Sequence, residues 1–318
     1  EGIFTVGCAG GVESRIRRSL DFAPLEPGAV RFRLEAGGMW GGHSGVDIHK
    51  QRANAIRILA RALDRISRAA GIRLMAIEGG KSHNAIPRHA RVQFSCAGED
   101  CEKIQAVLLS VERAVRMEHA DSDPSLRLTL EKLEKEAAEE TGLGPETSLQ
   151  LVHLLLALPD GVQAMSQQME GLVETSCNLA SVFMKNGALE IVTSQRSSVM
   201  SRLEDITRRV ESVAALAGAD AVRLNAYPAW EPKLDSPLLA RCTRVYRDLF
   251  GTEPEVEAVH AGLECAVIGA KYPEMDMISF GPTIRDPHSP DEALYIPTVS
   301  KVWQILEGPL KSFAEAQQ

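Results

Sequence analysis

A proline-rich loop near the C-terminus presents a histidine among carboxylates. The segment Gly-Pro-Thr-Ile-Arg-Asp-Pro-His-Ser-Pro-Asp-Glu, residues 281–292, carries His288 together with Asp286, Asp291 and Glu292. Its prolines fix φ and remove backbone donors, which makes the loop rigid. A neutral imidazole oriented by a carboxylate is a good zinc ligand. Zinc takes three or four ligands, so an exposed loop histidine without a role remains the alternative.

Two further residues are chemically suggestive. His43 lies in a glycine-rich segment, residues 37–45, where glycines allow close backbone approach and an imidazole can donate to an oxyanion. A hairpin turn with an exposed histidine is the structural alternative. Arg196 ends a strand-like segment, residues 189–196. An arginine there is usually a surface charge, but a guanidinium can also hold a carboxylate through two parallel hydrogen bonds.

Hydrophobic periodicity predicts the elements that position these residues. Residues 30–35 alternate as a half-buried strand, and residues 52–70 have one apolar helical face. Two more strands, residues 74–77 and 91–96, and a helix over 101–117 complete most of a ferredoxin-like unit. Asn186-Gly187 between two apolar runs predicts a β-hairpin.

Other segments have weaker patterns. Residues 12–29, with Pro24 and Pro27, are predicted to be a linker. The charged segment 118–150 is predicted to be a solvated helical excursion. The short apolar run Met275–Phe280, bounded by Pro and Gly, predicts a buried strand.

Composition excludes several classes of function. The chain has 318 residues, 44% hydrophobic and 25% charged, with a formal net charge of −8. This charge argues against nucleic-acid and anionic-membrane partners. The 6 scattered cysteines fit reduced thiols in a cytoplasmic protein. No signal peptide or membrane span is apparent. The chain begins without Met inside a strand-like pattern, so we expect a fragment.

Several motifs together resemble a known family. The sequence His-Ala-Gly-Leu-Glu-Cys at 260–265, the segment 272–277, Gly281-Pro282 and the segment 287–292 are similar to the C-terminal part of di-zinc peptidases. That family holds carnosinases, glutamate carboxypeptidases and aminoacyl-histidine dipeptidases. The resemblance covers essentially the whole chain, but only the later part of the family's chain. It implies that His288 ligates one of two zinc ions, or of two other divalent metals such as cobalt or manganese.

The same resemblance implies roles for five more residues. His43, in Gly41-Gly42-His43-Ser44-Gly45, matches the lid histidine that stabilises the oxyanion in a neighbouring subunit's active site. Arg196 matches an arginine that holds the substrate carboxylate, and Asn84 matches an asparagine that contacts substrate. Gly262 and Glu264 match a loop that lines the substrate pocket, although a tight strand–helix turn is the alternative for both.

The resemblance also implies an architecture. We expect an α/β fold in which a partial zinc-peptidase catalytic domain is interrupted by an α+β ferredoxin-like lid that makes a homodimer. The catalytic segments are expected at residues 1–22 and 228–318, and the lid at 28–226. The family's upstream His-x-Asp and Glu-Glu ligands have no counterpart in this sequence.

The function implied is metal-dependent hydrolysis of dipeptides, either Xaa-His or broadly. This chain alone is expected to be incomplete and inactive, because His288 cannot hold two zinc ions. Two alternatives remain open: a non-catalytic fragment that serves as a dimerisation or interaction module, and a hydrolase of the same family that acts on N-acyl amino acids.

Overall fold

The computed structural model describes residues 1–134, 140–285 and 291–315. The strands are β1 Ile3–Cys8, β2 Gly10–Ser19, β3 Phe22–Pro24, β4 Val30–Gly37, β5 Gly42–His43, β6 Ile72–Gly79, β7 Ala85–Ile86, β8 Ala90–Cys96, β9 Arg127–Lys132, β10 Thr141–Leu143, β11 Gly161–Met165, β12 Val173–Lys185, β13 Ala188–Ser197, β14 Asp220–Tyr227, β15 Glu255–Val259, β16 Ile284–Arg285 and β17 Ala293–Leu294. The helices are α1 Ala55–Ala69, α2 Cys101–Glu118, α3 Pro145–Ala157, α4 Met200–Leu216, α5 Pro237–Phe250, α6 Glu264–Lys271 and α7 Pro297–Glu315.

A 9-stranded antiparallel sheet forms the larger part of the molecule. Its order is β14-β2-β13-β12-β6-β8-β4-β9, and β11 pairs with β12 at the side. We call residues 10–227, which contain this sheet and helices α1 to α4, the sheet unit. Residues 1–8 and 229–315 are called the small unit.

The sheet consists of two halves with the same topology. One half runs β4-α1-β6-β8-α2-β9, and the other runs β2-α3-β12-β13-α4-β14. In each half the first strand lies between the third and the fourth, which is the ferredoxin-like order. The halves meet where β6 pairs with β12, through Gly79 with Val182 and Glu78 with Phe183. The predicted ferredoxin-like unit is confirmed, and a second one accompanies it.

Two of the sequence predictions for this region are wrong. Residues 12–29 are not a linker, because β2 pairs with both β13 and β14 in the middle of the second half. The charged segment 118–150 is not a helical excursion, because it contributes the edge strand β9 and the start of α3. Leu126 and Leu128 are buried beside β4, while the charges of β9 point to solvent, as is usual on an edge strand.

Helix α1 shows why one face of the sheet is covered. Its apolar residues recur at helical spacing, so Ile56, Leu59 and Leu63 are all fully buried. Asn54 begins the helix by accepting a hydrogen bond from Ile56 N at 3.0 Å through its side chain. The core of the sheet unit therefore forms one continuous apolar cluster between the helices and the sheet.

The small unit has much less core. Strand β1 runs parallel to β15, and α5 begins at the capping residue Ser236 and ends at Gly251 in the left-handed region. Its buried apolar cluster consists of Phe4, Val6, Leu239, Cys242 and Ile305. The prediction of a buried strand over Met275–Phe280 is wrong. Within this segment only Ser279 pairs, by one bridge to Thr5. Residues 276–280 are half buried and Met275 is exposed, so the segment is not a core strand.

All six cysteines are free thiols. Within the described residues, no helix combines the length and the apolar character that crossing a membrane requires.

Candidate functional site

Two short strands bring the His43 and Asn84 loops together. In β5 and β7, Gly42 pairs with Ile86 and His43 pairs with Ala85. Ser44 N also donates a hydrogen bond to the Asn84 backbone oxygen at 2.8 Å. The backbone at Gly42 has a φ of +146°, a conformation that favours glycine, so the glycine-rich sequence is what allows this turn.

The local backbone sets the protonation pattern of His43. Its Nδ1 accepts hydrogen bonds from Gly45 N at 3.1 Å and from Val46 N at 3.2 Å. An imidazole nitrogen that accepts from two N–H groups carries no proton, so in the neutral ring the proton lies on Nε2. In the neutral ring the Nε2 proton therefore lies on the side away from the turn.

Arg196 is a buried cation with spare donors. It lies near the end of β13 and is 7% exposed. Its Nη1 donates to the Tyr227 hydroxyl at 2.7 Å, whereas its buried Nε has no hydrogen-bond partner. Among the residues that the structure describes, no carboxylate forms an ion pair with it. A buried guanidinium in this state is suited to an anionic ligand.

His260 connects the small unit to this site. It follows β15, is buried, and its Nε2 lies 2.7 Å from the Ser176 hydroxyl. Ser176 in turn is the cross-strand partner of Arg196. Burial lowers the pKa of His260 to about 3, and the positive charge of Arg196 acts in the same direction. The ring is therefore neutral at physiological pH and does not add charge beside Arg196.

The backbone of His260 also contacts the His43 turn. A Cβ on Gly45 would lie 2.4 Å from the His260 carbonyl oxygen, so only glycine fits between the two loops. The turn that carries His43 therefore contacts His260 of the same chain.

Tyr227 fills the junction between the two units. A Cβ on Gly11 would lie 2.5 Å from its ring, and one on Gly262 would lie 2.9 Å from it. Burial raises the pKa of the Tyr227 hydroxyl, so the group is protonated and accepts the hydrogen bond from Arg196. The ring fixes the guanidinium with respect to the loop that carries Gly262.

The residues predicted from sequence are distributed as follows. His43, Asn84, Arg196 and Gly262 are held in one region by the contacts described above. The Asn84 side chain accepts a hydrogen bond from the Ser82 hydroxyl at 2.6 Å. Glu264 is exposed at the start of α6, two residues after Gly262. His288 lies outside the described residues.

Three residues of this site were not assigned roles from the sequence. Ser176, Tyr227 and His260 surround Arg196 and are all remote from it in the chain. The hairpin signal at Asn186-Gly187 is the one sequence feature that places β12 beside Arg196. The position of Tyr227 and His260 depends on how the two units pack.

No metal site can be built from the described residues. They contain no group of three or more His, Cys, Asp or Glu side chains that could hold a metal ion. The described residues by themselves therefore do not supply the donor set of a di-zinc centre.

Comparison with known proteins first gives a match for one part of the chain. Residues 34–123, which lie in the first half of the sheet, match the family described as the peptidase dimerisation domain. The particular relatives are dipeptidases. Over 98% of its length the chain is 35% identical to the cytosol non-specific dipeptidase of Escherichia coli (strain K12), of which it covers 64%.

A solved structure agrees with this relationship. The crystal structure of aminoacylhistidine dipeptidase from Vibrio alginolyticus matches with a TM-score of 0.92 and 33% identity, over 98% of this chain and 63% of that one. The resemblance and the fold class inferred from the sequence are confirmed. The chain spans less than two thirds of the length of either relative.

Proposed function

We propose that this chain is the lid and substrate-recognition part of a dipeptidase. The observation that carries the proposal is Arg196: a buried guanidinium with an unpartnered Nε and no ion-pair partner among the described residues. A dipeptidase has to recognise the free C-terminal carboxylate of its substrate, and a planar guanidinium can do so through two hydrogen bonds.

The surroundings of Arg196 support this role. Tyr227 holds Nη1 from one side, so the guanidinium is positioned before a ligand arrives. A carboxylate would supply the partner that the buried Nε lacks. The neutral ring of His260 leaves the positive charge of Arg196 available for the carboxylate.

The remaining predicted residues are given roles around the scissile bond. His43, with its proton on Nε2, is proposed to donate to the oxyanion that forms as the peptide carbonyl is attacked. Asn84 is proposed to contact the substrate from the neighbouring loop. Gly262 and Glu264 are proposed to line the pocket on the side of the small unit.

The metal is proposed from the resemblance. His288 would contribute one ligand to a di-zinc centre, whose other family ligands have no counterpart in this sequence. When bound, such a centre supplies a hydroxide nucleophile and stabilises negative charge on the carbonyl oxygen. Without those ligands, we expect the 318 residues to show no hydrolytic activity.

Two other functions stay open as proposals. A non-catalytic interaction module would use the same fold with no chemistry at Arg196. A hydrolase of N-acyl amino acids would also place a carboxylate on Arg196, but would not require the free amino group of a dipeptide.

Assembly is part of the proposal. The chain contains a peptidase dimerisation domain, and we propose a homodimer through the lid, residues 28–226. The seam between β6 and β12 is already occupied within one chain. A second copy would therefore use an outer edge strand, β9 or β14, or the helical face. Light scattering on the purified chain measures this directly.

The decisive experiment for the activity uses a protein extended upstream of Glu1. Arg196→Lys should reduce kcat/KM for a free dipeptide by about 100-fold, because an ammonium cannot reproduce the two-pronged contact. Amidating the dipeptide's C-terminus should lower kcat/KM far more in the wild type than in this variant. Arg209→Lys, on the exposed side of α4, is the matched control. If amidation lowers kcat/KM equally in the wild type and in Arg196→Lys, Arg196 does not bind the substrate carboxylate.

A further inference from the structure

A polar cavity lies behind the loops that carry His43 and Asn84. It has a volume of about 420 Å³ and is walled by the segment before α1 and by strands β7, β11 and β12. Its polar lining consists of Gln51, Arg52, Asn54, Asp160 and Asn178. None of the residues proposed to bind the dipeptide lines it. The cavity is therefore separate from the Arg196 site.

Asn178 lines this cavity and carries an unused hydrogen-bond acceptor. The residue is 1% exposed, and its Nδ2 donates to the Ala85 carbonyl oxygen at 2.9 Å. That bond fixes the orientation of the amide. Its Oδ1 is buried and accepts no hydrogen bond. Buried acceptors are nearly always satisfied in folded proteins, so this atom indicates an occupant that brings an N–H or O–H group.

A carboxylate and a guanidinium line the same space. Asp160 is partly buried, and its Oδ1 accepts from Asn54 Nδ2 at 3.0 Å and from Leu179 N at 2.9 Å. Burial raises the pKa of this carboxyl group, although the hydrogen bonds from Leu179 and Asn54 and the charge of Arg57 act in the opposite direction. Arg52 uses Nη1 on the Gly41 carbonyl oxygen, and a guanidinium has further N–H donors.

We infer that this cavity is a binding site for a free α-amino acid. The acceptors of Asn178 and Asp160 suit an ammonium group, while Arg52 suits a carboxylate. A cavity of about 420 Å³ accommodates an amino acid with a side chain of ordinary size. The inference does not depend on hydrolytic activity in this chain.

The residues that line the cavity also support the loops of the proposed active site. Asn178 holds Ala85, the cross-strand partner of His43, and Arg52 holds Gly41 at the start of the same turn. An amino acid that binds Asn178 and Arg52 would therefore contact the two side chains that support the His43 and Asn84 loops.

The test is calorimetric titration of the 318-residue chain with three probes. L-Alanine carries both charged groups, ethylamine carries only the amine, and propionate carries only the carboxylate. L-Alanine should bind at least about 10-fold more tightly than either single-group probe, since each charged hydrogen-bonded contact contributes about that factor. Absence of binding by L-alanine, or equal binding by propionate or ethylamine, would overturn the inference.

Variants locate the binding. Asn178→Leu removes the acceptor, Arg52→Met removes the cation, and each should weaken L-alanine at least about 10-fold. Because Asn178→Leu also removes the bond to Ala85, circular dichroism must show that it folds; if it does not, Arg52→Met decides. Arg65→Met, exposed on α1, should leave binding unchanged. Loss of L-alanine binding in Arg196→Lys but not in Arg52→Met would assign the amino acid to the substrate site and refute this cavity.

Discussion

The sheet unit and the small unit differ in how completely each buries its apolar residues. The sheet unit has a single continuous core that runs under both ferredoxin-like halves. Among the described residues, the apolar cluster of the small unit has five buried members, and large side chains such as Tyr295, Ile296 and Trp303 are exposed on this unit. Apolar burial is the main source of stability. The two units should therefore differ greatly in stability.

This difference bears on the candidate site. Arg196, His43 and Asn84 belong to the sheet unit and are held by its strands, whereas His260 and Gly262 belong to the small unit. The proposed carboxylate-binding side is thus supported by the sheet unit, which we expect to be the more stable one. The proposed pocket wall at Gly262 belongs to the small unit, and Tyr227 lies between the two.

The largest expected effect comes from a matched pair of core truncations. Phe94 and Phe4 are both fully buried, one in each core. Phe94→Ala should lower the free energy of unfolding of the sheet unit by ~3–5 kcal/mol. Phe4→Ala should unfold the small unit and leave the main transition in place. Urea denaturation followed by circular dichroism separates these outcomes. A single transition that both variants shift equally would show that the units unfold together and would break the comparison.

The second prediction concerns pH and the boundary between the units. The pKa of His260 is about 3 in the folded protein and 6.5 as the ordinary value. Below pH 6.5 His260 binds a proton in the unfolded chain but not in the folded protein. The free energy of unfolding therefore falls as the pH drops. Between pH 7.5 and 5 the loss should be ~2 kcal/mol.

A comparison with His260→Gln isolates this effect, because glutamine does not titrate. The free energy of unfolding of the wild type should fall relative to that of the variant by ~2 kcal/mol over the same pH range. A difference that does not change with pH would mean that His260 is accessible to protons and that the two units are not packed together at this point.

How far the sequence predicts the fold depends on how local each element's partners are. The first ferredoxin-like half is predictable because its strands and helices follow one another within residues 30–132. Strand β2 was missed because its partner β13 is far along the chain and its inward face is not uniformly apolar. Ser14 is fully buried between Val12 and Ile16, where its hydroxyl donates to Gln195, and this interrupts the apolar alternation.

The candidate site shows the same limit. The Asn186-Gly187 turn is confirmed, with φ of 52° and 69°, and it places Ser176 or its neighbour opposite Arg196. The choice between them depends on a bulge between Leu179 and Ser181, which no short-range pattern predicts. The contacts of Arg196 with Tyr227 and of Ser176 with His260 depend on long-range packing, so sequence patterns do not reveal them.

The smallest expected effect concerns the cap of α5 in the small unit. The Ser236 hydroxyl accepts a hydrogen bond from Leu239 N at 2.9 Å and donates to the Asp276 carboxylate at 2.7 Å. Ser236→Ala should lower the free energy of unfolding of the small unit by ~1 kcal/mol. Ser236→Thr keeps the hydroxyl and should recover most of it.

Because the small unit is expected to be the less stable one, this loss should be visible there before it is visible elsewhere. Hydrogen exchange at the amides of α5 should accelerate about 5-fold in Ser236→Ala, while exchange in β13 of the sheet unit should not change. Equal acceleration in both places would mean that the cap contributes to one global unfolding event. In that case the carboxylate side of the site would depend on the small unit as much as the Gly262 side does.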